Sequence, residues 1–195
     1  QQYHLSAETV IILFVGRLHK LKGIDVLLKS FAGVRQHLPQ LPIKLVIVGR
    51  DDGYGLEMNR LIEQLDIIND VIQTGPLYGA DNAAVYADAN LFLFTPSYYE
   101  ETSLATVRAI SFGLPVITTH QAELPGLDAA GAGYTVDCQV EAIISKLTMV
   151  LSNVILLTQL SLNAQRLFTE RFQSNQVINQ LEDVLNAISV QKISS

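Results

Sequence analysis

Short runs of apolar, β-branched or aromatic residues recur along the chain, separated by segments whose apolar residues follow three- and four-residue spacing. The runs predict strands over Val10–Val15, Lys44–Val48, Val71–Gln73, Leu91–Phe94, Pro115–Thr118 and Tyr134–Val136. The spaced segments predict helices over Ile24–His37, Gly55–Leu65, Asp81–Ala87 and Ser103–Phe112. This alternation predicts an α/β fold: a doubly wound, Rossmann-like parallel sheet of about six strands, with helices on both faces and right-handed crossovers.

After Val136 the pattern is helical only. Apolar spacing predicts helices over Gln139–Ser152, Thr158–Arg171 and Ser174–Val190. The aliphatic stretch Val154–Leu157 is interpreted as helix packing or a joint between helices. We find no internal repeat and no linker rich in Pro, Gly or Ser, so the sequence predicts a single domain over residues 1–195 with a helical C-terminal tail.

Composition narrows the classes of function. The net charge is −6, and the 13 Lys and Arg residues are scattered, which argues against a nucleic-acid surface. The longest apolar run, Val10–Val15, is far shorter than the roughly 20 residues that span a bilayer. The start at Gln1 shows no signal peptide and suggests that upstream sequence is missing. The single cysteine, Cys138, fits a reducing compartment, so we expect a cytoplasmic protein.

Two cations follow the first predicted strand. Gly16 and Arg17 come directly after it, and Lys22 and Gly23 precede the next helix. At the carboxyl end of a central strand, the planar fork of Arg and the point charge of Lys suit a diphosphate. The alternative is that both cations are solvated and that the glycines merely end the strand and open the helix. From spacing alone the alternative is favoured, because short motifs often occur by chance.

The loop after the fourth predicted strand carries a second candidate. Glu100 lies just before Ser103, which is a good N-cap for the next helix, and free N–H groups at a helix start can hold a phosphate. In a doubly wound sheet this loop faces the first one across the topological switch point. A simple capped helix explains the acidic pair Glu100-Glu101 but not this convergence. We therefore predict one crevice for an anionic ligand.

With both loops in place, the chain resembles the C-terminal, donor-binding domain of retaining glycosyltransferases of the GT-B architecture, the group 1 class. The resemblance extends from Val10 to about Ile188, and the order and spacing of its segments carry it. The segments are Val15-Gly16-Arg17-Leu18 with Lys22-Gly23, Ile47-Val48-Gly49, Val71-Ile72-Gln73-Thr74-Gly75-Pro76-Leu77, Tyr86-Ala87-Asp88-Ala89-Asn90, Pro96-Ser97-Tyr98-Tyr99-Glu100, Gly113-Leu114-Pro115-Val116 and Gly131-Ala132-Gly133.

The resemblance implies a hexosyltransferase-type reaction from a nucleoside-diphosphate sugar, in polysaccharide or glycolipid synthesis, with retention at the anomeric carbon. It implies that Arg17 and Lys22 bind the diphosphate and stabilise the leaving group, so that no metal or other cofactor is needed. It also implies that Glu100 contacts the hydroxyls of the donor sugar. These three residues are the predicted catalytic groups.

The remaining implied contacts are made by backbone. The resemblance places Gly16 at the donor, the backbone of Thr102, Ser103 and Leu104 near sugar and phosphate, and the loop after Gly75 near the base. In this chain Thr102-Ser103 stands where the family has Phe-Gly. Ser103 in place of Gly adds a Cβ where the backbone normally approaches the donor.

Arg108 is the main departure from the family pattern. The family carries a second Glu at this position to accept from the ribose hydroxyls, whereas Arg donates only. One interpretation is a surface residue that pairs loosely with Glu100 or Glu101. A sharper hypothesis is that Arg108 binds a further anionic group on an unusual donor. We predict that Arg108 is a substrate-binding residue.

Two alternatives to a transferase stay open. One is a degenerate nucleotide-sugar-binding or interaction module, and the other is an epimerase-like or nicotinamide-dependent enzyme. Gly16-Arg17-Leu18 is not the glycine-rich fingerprint of the last class. The resemblance further implies a missing N-terminal acceptor-binding domain, through which any peripheral membrane contact would arise, and an isolated chain that binds donor but barely turns over.

No metal site is predicted. The four histidines lack metal-ligand spacing. Asp51-Asp52-Gly53 resembles a fragment of a calcium loop without the remaining ligands, and is interpreted as a turn.

Overall fold

A computed structural model describes residues 5–100, 103–178 and 182. Six parallel strands form one sheet in the order β3-β2-β1-β4-β5-β6. The strands are β1 Val10–Val15, β2 Ile43–Val48, β3 Val71–Gly75, β4 Leu91–Phe94, β5 Val116–Thr119 and β6 Gly133–Val136. The reversal of strand order lies between β1 and β4, as in a doubly wound sheet.

Helices connect the strands and continue beyond the last one. They are α1 Ile24–His37, α2 Gly55–Gln64, α3 Gly79–Asp88, α4 Leu104–Ser111, α5 Val140–Leu151 and α6 Val154–Leu167. Short 3₁₀ turns occupy Lys20–Lys22 and His120–Ala122, and a π-helical turn, Phe168–Phe172, follows α6. The right-handed crossover rule places α1 and α2 on one face and α3 and α4 on the other.

The sheet is hydrophobic because both of its faces are covered. Strand β4 (Leu91–Phe94) and the middle of β1 are fully buried, and one apolar core cluster extends from β1 to α6. Phe14, Phe92 and Phe94 are in contact within it, with ring centroids 5.9 and 6.2 Å apart. The core therefore fixes the central strands, and with them the loops at their carboxyl ends.

The predicted elements agree with the structure except in the helical tail. The predicted helix Thr158–Arg171 begins at Val154, because the Asn153 side chain accepts from the N–H of Leu156 at 3.0 Å and caps the first turn. Val154–Leu157 is thus the start of α6. Residues 174–178 of the predicted helix Ser174–Val190 are helical, and most of the remainder lies outside the described residues.

No single helix in the described part of the chain is long and apolar enough to span a bilayer. Helix α5 and the segment Val154–Ile178 meet the criterion only as a pair, which is bent by 100°.

Candidate functional site

The loop after β1 brings Lys22 to the carboxyl edge of the sheet. His19 begins the 3₁₀ turn by accepting the N–H of Leu21, and Gly23 ends it in the left-handed region with φ +63°. The Lys22 side chain is only 12% exposed, and its Nζ lies 5.7 Å from the centroid of the Phe94 ring. This cation is therefore held in place at the end of a central strand.

The loop after β4 brings Glu100 to the same place. Its backbone N–H donates to the carbonyl of Gln121, after β5, at 2.7 Å, and its carboxylate forms an ion pair with Lys22. Glu100 is 29% exposed, so the pair lies at the mouth of the crevice. The predicted convergence of the first and fourth loops is thus found as direct contact between two predicted site residues.

Hydrogen bonds join the two loops below this ion pair. The Thr95 hydroxyl donates to the carbonyl of Gly23 at 3.0 Å, and the N–H of Ser97 donates to the carbonyl of Leu21 at 3.1 Å. A Cβ on Gly23 would overlap the carbonyl oxygen of Thr95. Only glycine, which has no side chain, permits this close approach. The contact between the two loops, which we call the seam, therefore requires glycine at position 23.

The other described backbone positions predicted for the donor lie at the carboxyl edge of the sheet. The Ser103 hydroxyl caps α4 by accepting the N–H of Thr106 at 3.3 Å, and Leu104 is exposed in its first turn. Gly75 ends β3 with φ +70°, and Gly16 directly follows β1. Thr102 lies outside the described residues. The start of α4 thus opens at the carboxyl edge, where its amides are suited to an anion.

Arg17 has a partner that the sequence did not indicate. Its Nη1 lies 2.7 Å from Oδ2 of Asp52, in the turn after β2, and its side chain is 60% exposed. The Nη2 of Arg50 is 3.9 Å from the other oxygen of that carboxylate. The structure therefore adds Arg50 and Asp52 to the residues near the diphosphate-binding candidates.

The neighbouring Asp51 forms the turn that the sequence predicted. Its Oδ1 accepts from the backbone N–H groups of Gly55, Tyr54 and Gly53 at 2.9–3.0 Å. These bonds, that from Gly55 first, lower the pKa of the Asp51 carboxyl group, opposed in part by burial. Asp51 stabilises its own turn, whereas Asp52 contacts Arg17 in the loop after β1.

The pairing proposed for Arg108 with Glu100 is wrong, because Glu100 pairs with Lys22. The Arg108 Cζ instead lies 5.4 Å from the centroid of the Tyr86 ring. Tyr86 is buried on α3, and its ring stacks with those of Phe92 and Phe112. Glu101 lies outside the described residues. Arg108 thus covers an aromatic cluster on one side and faces solvent on the other.

Tyr86 gives the fold a sensitivity to alkaline pH. Burial raises its pKa from 10.0 to about 12, and the positive charge of Arg108 opposes part of this rise. In the unfolded chain the phenol deprotonates near 10, while in the folded chain it keeps its proton until about 12. The free energy of unfolding should therefore fall by about 2 kcal/mol across this interval.

Tyr86→Phe tests this expectation, because it removes the titrating hydroxyl and keeps the ring. The only hydrogen bond described for that hydroxyl is a weak one to the carbonyl of Ala105, at 3.4 Å. Urea unfolding of both proteins at several pH values between 9 and 11.5 provides the comparison. The Phe variant should show a shallower loss of stability. Identical slopes would contradict the assignment.

A cavity of about 330 Å³ lies elsewhere, between the segment before β1 and the end of α3, which contributes Val85 and Asp88. None of its described lining residues is Lys or Arg, so it lacks the cations that a diphosphate requires. Nor do the described residues contain a group of three His, Cys, Asp or Glu side chains able to hold a metal ion. The carboxyl edge is therefore the candidate site.

Comparison with known proteins decides the family. The model of the glycosyl transferases group 1 family matches residues 1–167. The chain belongs to this family. The D-inositol 3-phosphate glycosyltransferase of Corynebacterium jeikeium is 36% identical over 134 residues, which are 66% of this chain and 32% of that enzyme. The chain thus spans about a third of the length of the curated relatives it matches.

Solved structures with similar folds agree with this membership. HepE of Anabaena in complex with UDP has a TM-score of 0.81 at 20% identity, covering 93% of this chain and 50% of that one. The C-terminal domain of a group 1 glycosyl transferase from Francisella tularensis has a TM-score of 0.75 at 20% identity, covering 85% of this chain and 87% of that one. The chain therefore has the Rossmann-like GT-B fold expected from its sequence.

Proposed function

We propose that this group 1 chain is the donor-binding domain of a retaining glycosyltransferase. It binds a nucleoside-diphosphate sugar and presents the sugar to an acceptor in polysaccharide or glycolipid synthesis. The observation that carries the proposal is the contact between Lys22 and Glu100 at the switch point between β1 and β4. One partner supplies a cation for phosphate, and the other supplies an acceptor for sugar hydroxyls.

Charge development explains the need for these groups. As the bond from the anomeric carbon to the diphosphate breaks, negative charge grows on the leaving phosphate oxygens. Donors fixed before the reaction stabilise that charge without reorganising. Lys22 is held in this way, and Arg17 adds a guanidinium at the same edge. In this proposal Arg17 and Lys22 take the place that a divalent metal would otherwise have beside the diphosphate.

The start of α4 supplies the second half of the donor site. Glu100 accepts from the sugar hydroxyls, while backbone groups of Thr102, Ser103 and Leu104 approach sugar and phosphate. The family resemblance assigns Arg108 to the donor as well, and its guanidinium, which lies over the Tyr86 ring, can donate to hydroxyl or anionic oxygens. Gly16 and the loop after Gly75 line the diphosphate and the base in this arrangement.

The acceptor is held by a second domain in this proposal. The chain spans about a third of the inositol-phosphate glycosyltransferases and half of the HepE chain. Tyr98 and Tyr99, in the loop after β4, and Leu104, at the start of α4, are exposed. Exposed apolar side chains at one edge suit contact with another domain. The isolated chain should bind donor but turn over little. The free thiol of Cys138 fits a cytoplasmic location.

Titration calorimetry with nucleoside diphosphates tests the donor site, beginning with UDP because HepE was solved with it. Arg17→Ala should weaken binding by about 1–2 kcal/mol, the loss of a charge-assisted hydrogen bond at an exposed position. Arg60→Ala is the matched control, because Arg60 is also exposed and has a carboxylate neighbour in Glu57, but lies on α2. Failure of every nucleoside diphosphate to bind would instead indicate an interaction module.

A further inference from the structure

The turn after β2 is fixed beside the loop after β1. Leu18 forms a parallel bridge with Asp51, and its N–H donates to the carbonyl of Arg50 at 2.8 Å. A Cβ on Gly49 would overlap the carbonyl oxygen of Gly16, so the two backbones touch. The pairing of β1 with β2 thus continues past both strand ends. Side chains of the turn are thereby held next to Arg17.

Two guanidinium groups meet one carboxylate at this junction. Asp52 Oδ2 is 2.7 Å from Arg17 Nη1, and Asp52 Oδ1 is 3.9 Å from Arg50 Nη2. Arg50 is 68% exposed and Arg17 60%, so both keep free N–H groups toward solvent. The cluster has a net charge of +1, whereas the pair of Lys22 and Glu100 is neutral. The surplus cation therefore lies on the β2 side of the crevice.

We propose that Arg17 and Arg50 form a clamp for a phosphate group, and that the Asp52 carboxylate occupies this clamp when no ligand is bound. A phosphate offers more oxygens and more charge than a carboxylate, so it can satisfy two guanidinium groups at once. Arg50 is then a binding residue, and Asp52 is an internal competitor displaced by the ligand. The inference rests on the proposed donor function, because it uses Arg17 of the same edge.

The phosphate has two sources, the diphosphate of the donor or a phosphate ester on the acceptor. UDP titrated into the 195-residue chain probes the first source. Inorganic phosphate titrated in the presence of saturating UDP probes the second. Both titrations are carried out on the wild type, on Arg50→Ala and Asp52→Asn, and on Arg60→Ala as the control.

Arg50→Ala is expected to weaken UDP binding about 3- to 10-fold for a donor clamp, the loss of an exposed charge-assisted contact. For an acceptor clamp it leaves UDP binding unchanged and weakens inorganic phosphate binding by the same factor. Asp52→Asn keeps the size of the side chain but removes the competing charge. It should tighten whichever ligand Arg50→Ala weakens.

The clamp is overturned if Arg50→Ala behaves like Arg60→Ala toward both ligands, or if Asp52→Asn weakens the affected ligand. If UDP binds and Arg17→Ala weakens it, but Arg50→Ala weakens neither UDP nor inorganic phosphate, the donor site stands and the clamp does not. If no nucleoside diphosphate binds, the donor function fails. Titration of inorganic phosphate without UDP then tests the clamp alone, and absence of phosphate binding to the wild type overturns it.

Discussion

Replacing Gly23 by alanine is expected to lower the free energy of unfolding by about 3 kcal/mol or more, because two separate costs add at this position. The first is the left-handed backbone, with φ +63°. The second is overlap of the new Cβ with the Thr95 carbonyl, a backbone atom of the neighbouring loop that cannot rotate away. Urea unfolding followed by circular dichroism measures the loss.

Gly79→Ala separates the two costs. Gly79 has φ +54°, close to that of Gly23, but no heavy atom lies within 4 Å of its would-be Cβ. It should therefore show the backbone cost alone, about 1–2 kcal/mol. Equal losses for the two variants would show that the overlap at Thr95 is relieved at little cost, and that the seam between the loops is not tightly packed.

Gly23→Ala should disturb the candidate binding site more than the packing of the sheet. Gly23 accepts from the Thr95 hydroxyl at 3.0 Å, and the N–H of Ser97 bonds to the carbonyl of Leu21 beside it. Separating these loops moves Lys22 away from Glu100. The folded fraction of Gly23→Ala should therefore bind nucleoside diphosphates more weakly than Gly79→Ala, when both are titrated at a temperature where each is folded.

The sheet was predictable because its strands are buried on both faces. Runs such as Val10–Val15 and Leu91–Phe94 contain no polar residue, and the predicted bounds of these two strands match the structure. The convergence of the first and fourth loops followed from connection rules rather than from any residue. The start of α6 was misplaced because exposed Val154 and Ile155 break the apolar pattern, although Asn153 is a recognisable cap.

The partners of charged side chains were less predictable, because they depend on contacts between distant elements. Arg108 lies on Tyr86, 22 positions earlier, and no local spacing connects them. Asp51 behaves as a turn residue should, whereas the contact of Asp52 with Arg17 follows from the bridge between Leu18 and Asp51 beyond the strands. The register between the two loops is set by the pairing of β1 with β2, and the sequence of neither loop alone indicates it.

Lys22→Ala is expected to weaken nucleoside diphosphate binding about 10- to 100-fold, or about 1.4–2.8 kcal/mol. The change removes a cation that is only 12% exposed and leaves the Glu100 carboxylate unpaired where the phosphates bind. The variant thus loses the attraction between Lys22 and the phosphates and gains repulsion between Glu100 and the phosphates. Lys20→Ala is the matched control, because Lys20 lies in the same 3₁₀ turn but is exposed. Calorimetry should show little change for it.

Glu100→Gln separates the phosphate role from the sugar role. The amide keeps the shape of the side chain and releases Lys22 from its ion pair, so the bare nucleoside diphosphate should bind as well as before or more tightly. The additional affinity contributed by the sugar of the matching nucleotide sugar should fall, because a neutral amide accepts from hydroxyls more weakly than a carboxylate. Lys22→Ala should weaken both ligands alike. If Glu100→Gln weakened the bare diphosphate as strongly as Lys22→Ala does, the pair would act as one structural unit that shapes the loops, and Glu100 would lose its assignment to the sugar.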